Sequence, residues 1–360
     1  MKHKINCLQY GTMMILIVVS SFMGIGIYSL VRAAGVDAYL TIILGVLVGI
    51  PNLLLFLYIS SYEPDLSLPL KLEQLYGKKL GKIISYVCAI FAFVFANNYM
   101  FNLTNFIVSQ FLPETPLMVI GIVFAFLAFY ANSKGLETIS RLSLLLFIIN
   151  IILFGIGVFG LIPSFEFNNL RPFLENGIDR PFKATFYIFT LSILPMNALL
   201  IVPKNKMVDT KHFNKAIFAA YITSLILIFS FCILTLGVLG IHLASIYQYP
   251  EYIILKHVNL FGFLDRIENI ITATWIFGLY FSITFYIYYV STCISPKQEK
   301  RKMPIILVTL ALLFSVRLIP NNTAFNTYVY YVAPILKLIY FAVFILIGVT
   351  IFIKQRKKNS

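Results

Sequence analysis

Gly24 and Gly26 flank Ile25 in the middle of the first apolar run of this chain, one turn after Ser20 and Ser21. Glycine removes the side-chain penalty for leaving helical geometry. An unwound turn here would therefore present free backbone N–H groups and the start of a second half-helix, donors that suit a carboxylate. A matching interruption, Leu194-Pro195-Met196-Asn197, sits in the sixth apolar run. Proline lacks an N–H and clashes with the preceding turn, and lipid cannot satisfy the carbonyl it frees. Asn197, Thr190 and Ser192 are the polar side chains nearest to that carbonyl in sequence. Helices broken at corresponding places of two halves are how solute-binding membrane proteins expose backbone groups near the bilayer midplane. The competing readings are close packing through small residues for the first break and a ligand-free kink for the second.

Asn98, Asn102 and Asn105 follow one another at i, i+4 and i+7 in the third run and share a helical face. Unpaired amides are costly in hydrocarbon, so that face should look inward, either onto a solute or onto neighbouring helices. Trp275, Ser282, Tyr286 and Tyr289 line one face of the eighth run. Rings and hydroxyls together suit an amino-acid-sized ligand, and an aromatic packing stripe has the same spacing. All 14 acidic residues fall in connectors or at run margins. No midplane carboxylate is expected, which counts against a proton-driven pump. Arg317 and Lys337 are the basic residues inside runs; they should snorkel or pair near the ends, with Lys337 alternatively on a water path.

Signals for enzymatic chemistry are weak. Gly155 to Gly160 matches GxGxxG inside an apolar run with no strand before it. Gly45 and Gly49 read as helix packing. The histidines are scattered without metal-ligand spacing, and the four cysteines read as buried thiols. No catalytic set, metal or cofactor is expected.

The elements that must hold these residues are membrane helices. At 60% hydrophobic and 12% charged residues, with a mean hydropathy of +0.89, the chain is an integral membrane protein. Ten spans are expected, near 8–31, 38–61, 83–111, 117–131, 142–162, 184–202, 216–242, 267–294, 304–319 and 333–353. At about 20 residues each they leave no room for a sizeable soluble domain. The expected fold is therefore all-α, one polytopic domain over 1–360. Its first repeat covers 8–162, its second, inverted repeat covers 184–353, and the outer loops are 163–183 and 243–266. With a cytoplasmic N-terminus, 20 of the 28 Lys and Arg fall on the inner side, which places both termini in the cytoplasm. Short juxtamembrane basic loops fit anionic lipid and not nucleic acid. The first run is too long for a cleaved signal peptide. The loop piece 253–264 after Tyr249-Pro250-Glu251-Tyr252, and the inner stretch 63–82, read as amphipathic segments lying on the membrane surface.

Ser21-Phe22-Met23-Gly24-Ile25-Gly26 through Arg32, Asn168-Asn169-Leu170-Arg171-Pro172, and the stretch from Tyr249-Pro250 through Arg266-Ile267-Glu268 to Trp275 together resemble the spore germination permease family. That family forms the B subunit of nutrient germinant receptors within the amino acid-polyamine-organocation superfamily. The resemblance implies ten helices in a 5+5 inverted repeat with broken first and sixth helices. It implies a sensor of a nutrient such as an amino acid, in the inner membrane of the bacterial endospore, working with an A subunit and a C lipoprotein. By position, Gly24 would meet the ligand, Ser282 and Tyr286 would line the pocket from the eighth helix, and Leu194 would form the sixth-helix wall. Ile25, Gly26, Asn98, Asn102 and Asn197 complete the expected site. Where the family often has Gly-x-Glu in the sixth helix, this chain has Pro195-Met196-Asn197. Two rival readings share the sequence evidence: a secondary amino acid transporter, and an assembly subunit with a vestigial pocket.

Overall fold

A computed structural model describes residues 4–175, 177–257, 268–297, 300–319 and 321–359. Among them the chain is helical, with no strand beyond one bridge between Ile5 and Met207. The helices are α1 (Cys7–Ser20), α2 (Gly26–Ala34), α3 (Ala38–Ser61), α4 (Leu68–Gln110), α5 (Leu117–Lys134), α6 (Leu136–Leu161), α7 (Asp179–Tyr187), α8 (Phe213–Ile246), α9 (Pro250–Leu255), α10 (Glu268–Ile294), α11 (Lys302–Ser315), α12 (Asn322–Thr327) and α13 (Ala333–Asn359). Eight stretches of the described chain are long and apolar enough to cross a membrane; α2 and α3 form one of these together, and α1 is a shorter apolar helix. Helices suit this composition because each satisfies its backbone internally.

Burial separates centre from periphery. In the apolar 18-residue portion of each stretch, 83% is buried for Asp179–Ile201 and 67% for Ile270–Ile294, against 22% for Leu136–Ser164. The segment after α7 and α10 itself are therefore the interior elements, and α6 shows most of its surface outward. α10 packs along α4 and also against α1, α5 and α6, while α1 leans on α8.

Residues 21–25 are not helical, and Gly24 adopts φ 91°, so the first apolar run is interrupted as its glycines imply. The sixth run behaves differently. It passes from α7 into a π-helical segment, Ile188–Ile193, and then into 3₁₀ winding over Leu194–Ile201. Pro195 is absorbed by rewinding, so the expected opening at Leu194-Pro195-Met196-Asn197 is a change of pitch with no unwound stretch.

Two connector expectations are revised. Within 63–82, Leu68 and Leu72 are buried, and the Lys71 Nζ donates to the carbonyls of Ile59 (3.0 Å) and Ser60 (3.4 Å). Those are last-turn carbonyls of α3 with no helical partner, so the segment is docked by its polar anchor and does not simply lie on a surface. Tyr249, Pro250, Glu251 and Tyr252 are likewise buried, and among the described residues 247–257 only Pro250–Leu255 is helical. The remainder of the expected amphipathic piece, from Val258 to Leu264, and the pair Arg266-Ile267 lie outside the described residues.

The Asn168 to Pro172 loop has a structural task. α8 bends at Gly240 (φ 68°), and the Gly237 carbonyl before the bend accepts from the Asn169 amide (2.9 Å) and the Glu166 N–H (3.0 Å). At the opposite end of the bundle the Ile5 N–H meets the Lys206 carbonyl (2.8 Å), the Lys204 N–H meets the Pro64 carbonyl (2.7 Å) and the Tyr58 hydroxyl donates to Gln355 (2.9 Å). Both chain ends and two connectors gather there.

Candidate functional site

The break in the first run strands several backbone groups, and the surrounding side chains reach for most of them. The Phe22 N–H bonds Val19, which leaves the Val18 carbonyl to accept from the hydroxyls of Ser21 and Ser192, each at 3.0 Å. The Met23 carbonyl accepts from the Asn102 amide at 3.5 Å. The Gly24 N–H donates to the Glu251 carboxyl at 3.3 Å. In the sixth run, Leu191 lies four residues before Pro195, so its carbonyl is the one a proline cannot serve. The Lys337 ammonium of α13 donates to it at 3.2 Å.

Beside this break lies a small hollow with Met23, Ile25, Gly26, Asn98, Asn102 and Lys337 in its wall. The amides of the third run take separate tasks. Asn98 donates to the Tyr328 hydroxyl (3.2 Å), Asn105 to the Tyr249 hydroxyl (2.8 Å), and Asn102 to the break itself, while the buried Asn102 Oδ1 has no partner. From α10, Ser282 shares a 2.6 Å hydrogen bond with Ser20, which also borders the cavity. The Tyr286 ring lies 5.5 Å from that of Tyr99 and 6.2 Å from that of Phe95, both of which border the cavity.

Gly24, Ile25, Gly26, Asn98 and Asn102 are thus brought together, with Ser282 and Tyr286 one layer behind. Leu194 and Asn197 are not brought to this wall. The Asn197 amide bonds Asn52 of α3 at 2.9 Å, and Leu194 is buried in the rewound segment. Trp275 is drawn away from Tyr286 toward Phe106 (4.8 Å) and Tyr249 (5.6 Å).

Two charged side chains stand elsewhere than their sequence positions lead one to expect. Glu251 sits in a connector, yet it is 2% exposed and reaches the break, so a carboxyl does stand against the first-helix break. α9 carries it inward because the Tyr249 ring packs 5.1 Å from Phe106, Tyr252 packs 5.4 Å from the same ring, and Asn105 holds the Tyr249 hydroxyl. Burial pushes the Glu251 carboxyl up to about 8, against the opposing pull of the backbone N–H groups that it accepts from. Lys337 does not snorkel: it is 6% exposed with its ammonium 5.7 Å from the Phe95 ring centre. Its position within a run was the available signal; Glu251 offered none.

A family model described as spore germination protein matches residues 4–326. The chain belongs to the spore germination permease family. With eight helices suited to crossing a bilayer, this family member is a multi-pass membrane protein. It is similar to Bacillus subtilis spore germination protein A2, 28% identical over 282 residues that cover 76% of this chain and 75% of the relative. Spore germination protein KB of the same organism is 25% identical over 260 residues, covering 71% and 69%. Spore germination protein YndE, also from Bacillus subtilis, is 24% identical over 321 residues, covering 85% and 86%. In this permease-family chain the glycine break and the amides of Asn98 and Asn102 border one cavity, and the loop carrying Tyr249 and Glu251 is tied to Asn105 and to the Gly24 N–H of the break.

Proposed function

We propose that this chain is the nutrient-sensing, non-enzymatic membrane subunit of a spore germinant receptor, binding a germinant in the cavity beside the first-helix break and signalling to partner subunits. The germinant class is a small nutrient such as an amino acid, and the partners are an A subunit and a C lipoprotein. The proposed location is the inner membrane of the endospore, with both termini on the core side. The proposed architecture counts α1 with α2 as the first of ten crossings and α11 as the ninth, with five spans followed by five inverted ones. Family membership supports the receptor role, and the gathering of both chain ends at one end of the bundle supports an even number of crossings.

The single observation that carries the reading is a small, largely apolar cavity placed where a helix is interrupted, with amide and ammonium groups in its wall. A solute there can signal only by binding two packings of the helices unequally. The break supplies the bistable element, because its hydrogen bonds run to side chains of α4, α9 and the segment after α7, each able to exchange partners.

The test replaces the resident subunit of a defined germinant receptor with this chain and screens spores against single nutrients. The nutrient range is expected to change to one set by this chain. A range unchanged by the exchange would overturn the sensing role. Counterflow of labelled amino acids in proteoliposomes holding this chain alone should stay at background, and robust uptake would establish transport instead.

A further inference from the structure

The first-helix break was expected to receive a carboxylate through its free amides. In the folded chain the Gly24 N–H is already engaged by Glu251, and the carbonyls on either side are served by Ser21, Ser192 and Asn102. The cationic group in the cavity wall is Lys337. An ammonium carries three N–H donors, and its one hydrogen bond runs to the Leu191 carbonyl at 3.2 Å. Among the described residues, no carboxylate is paired with it. Burying a cation with a single neutral acceptor is costly. Satisfying one carbonyl before a proline does not require a charge, since a neutral donor would serve. Nearby, Asn102 Oδ1 is a buried acceptor without a donor. The wall therefore offers unsatisfied cationic donors and an unsatisfied acceptor in one hollow.

We infer that Lys337 is the anion-recognising residue of the cavity and that the ligand is a small molecule carrying a carboxylate, which pairs with the Lys337 ammonium, together with an N–H donor that meets Asn102 Oδ1. Free amino acids fit that description. The inference rests on the proposed germinant site and gives it a chemical class and a contact. Charge pairing in a dehydrated wall makes the carboxylate obligatory, because an analogue lacking it leaves the ammonium buried and unpaired.

The experiment measures the apparent melting temperature of the purified full-length chain in detergent with the common amino acids, one at a time, and with the primary amide of each. A ligand that binds the native state alone must raise the transition. At least one amino acid should stabilise, its amide should bind at least tenfold more weakly, and Lys337→Met should abolish the difference between acid and amide while Lys337→Arg keeps part of it. Equal stabilisation by acid and amide in the wild type, or an unchanged acid preference in Lys337→Met, would overturn the assignment and leave the cavity as a binding site. Stabilisation by amides alone would overturn it in the same way. No stabilisation by any compound would overturn both the assignment and the germinant site beneath it. If Lys337→Met proves too unstable to purify, the wild-type comparison of acid with amide decides alone. A purely structural Lys337 would lower the unliganded melting temperature and leave the acid preference untouched.

Discussion

Glu251 shows how one residue changes the meaning of a site. As a connector residue it belongs on a wet surface, where a carboxyl ionises near 4.5; buried against the Gly24 amide it is pushed up to about 8. Between these values the folded chain holds a proton that the unfolded chain has released. Its contribution to stability is therefore complete below about 4.5 and fades as pH rises through 8. The adjacent Tyr249 hydroxyl, raised from its ordinary range by burial, adds no charge there. The melting temperature of the wild type should fall from pH 5 to 8 more steeply than that of Glu251→Gln. Parallel curves for the two proteins would remove Glu251 as a titrating group. A neutral Glu251 also fits its position, since an uncharged acid can accept from Gly24 while its second oxygen, which has no partner, remains available as a donor.

At the scale of elements, helix interruptions are tolerated here because side chains from neighbouring helices take over the backbone's hydrogen bonds. Asn169 does so at the bend of α8, Lys71 at the end of α3 and Asn102 at the first-run break. The small-residue pair Gly45 and Gly49 does the complementary job of bringing backbones close. A Cβ at Gly45 would come within 2.5 Å of Ile188, and one at Gly49 within 2.1 Å of the Tyr221 hydroxyl and 2.7 Å of Ile193. That hydroxyl donates to the Val46 carbonyl at 2.9 Å, so α3 and α8 are fastened beside Gly49. Gly49→Ala should destabilise by about 1–3 kcal/mol through overpacking. Because the nearest atom is the hydroxyl, the same change in a Tyr221→Phe background should cost less, a coupling that a double-mutant cycle of melting temperatures measures. Additive effects would show that the contact with Ile193, and not Tyr221, sets the limit.

For the whole molecule, the arrangement of ends carries a topological consequence. Residues near Ile5, Pro64, Lys204 and Gln355 share one end of the bundle, and α9 reaches the first-helix break through Glu251. Ten crossings with both termini cytoplasmic predict that green fluorescent protein fused to either terminus fluoresces and that alkaline phosphatase fused to either terminus is inactive. An active C-terminal phosphatase fusion would require an odd number of crossings. Most of the basic residues belong to the end that holds the termini, where the charge bias of short loops and the packing of the connectors agree.

Hydropathy and charge by themselves determined that this is a polytopic helical membrane protein, because in lipid the backbone has few other ways to satisfy itself. The glycines at 24 and 26 marked the first break, since only a residue without a Cβ adopts φ 91° without strain, and the asparagine spacing marked an inward face. Tertiary structure decided the rest. It decided that Pro195 rewinds a helix and does not open it, because Lys337 on a distant element can serve the stranded Leu191 carbonyl. It decided that Asn197 clamps Asn52 and that a loop glutamate reaches the first-helix break. Each of these is a contact between residues over 100 positions apart in the chain. Local pattern carries no information about such pairs, which only the packing of helices brings together.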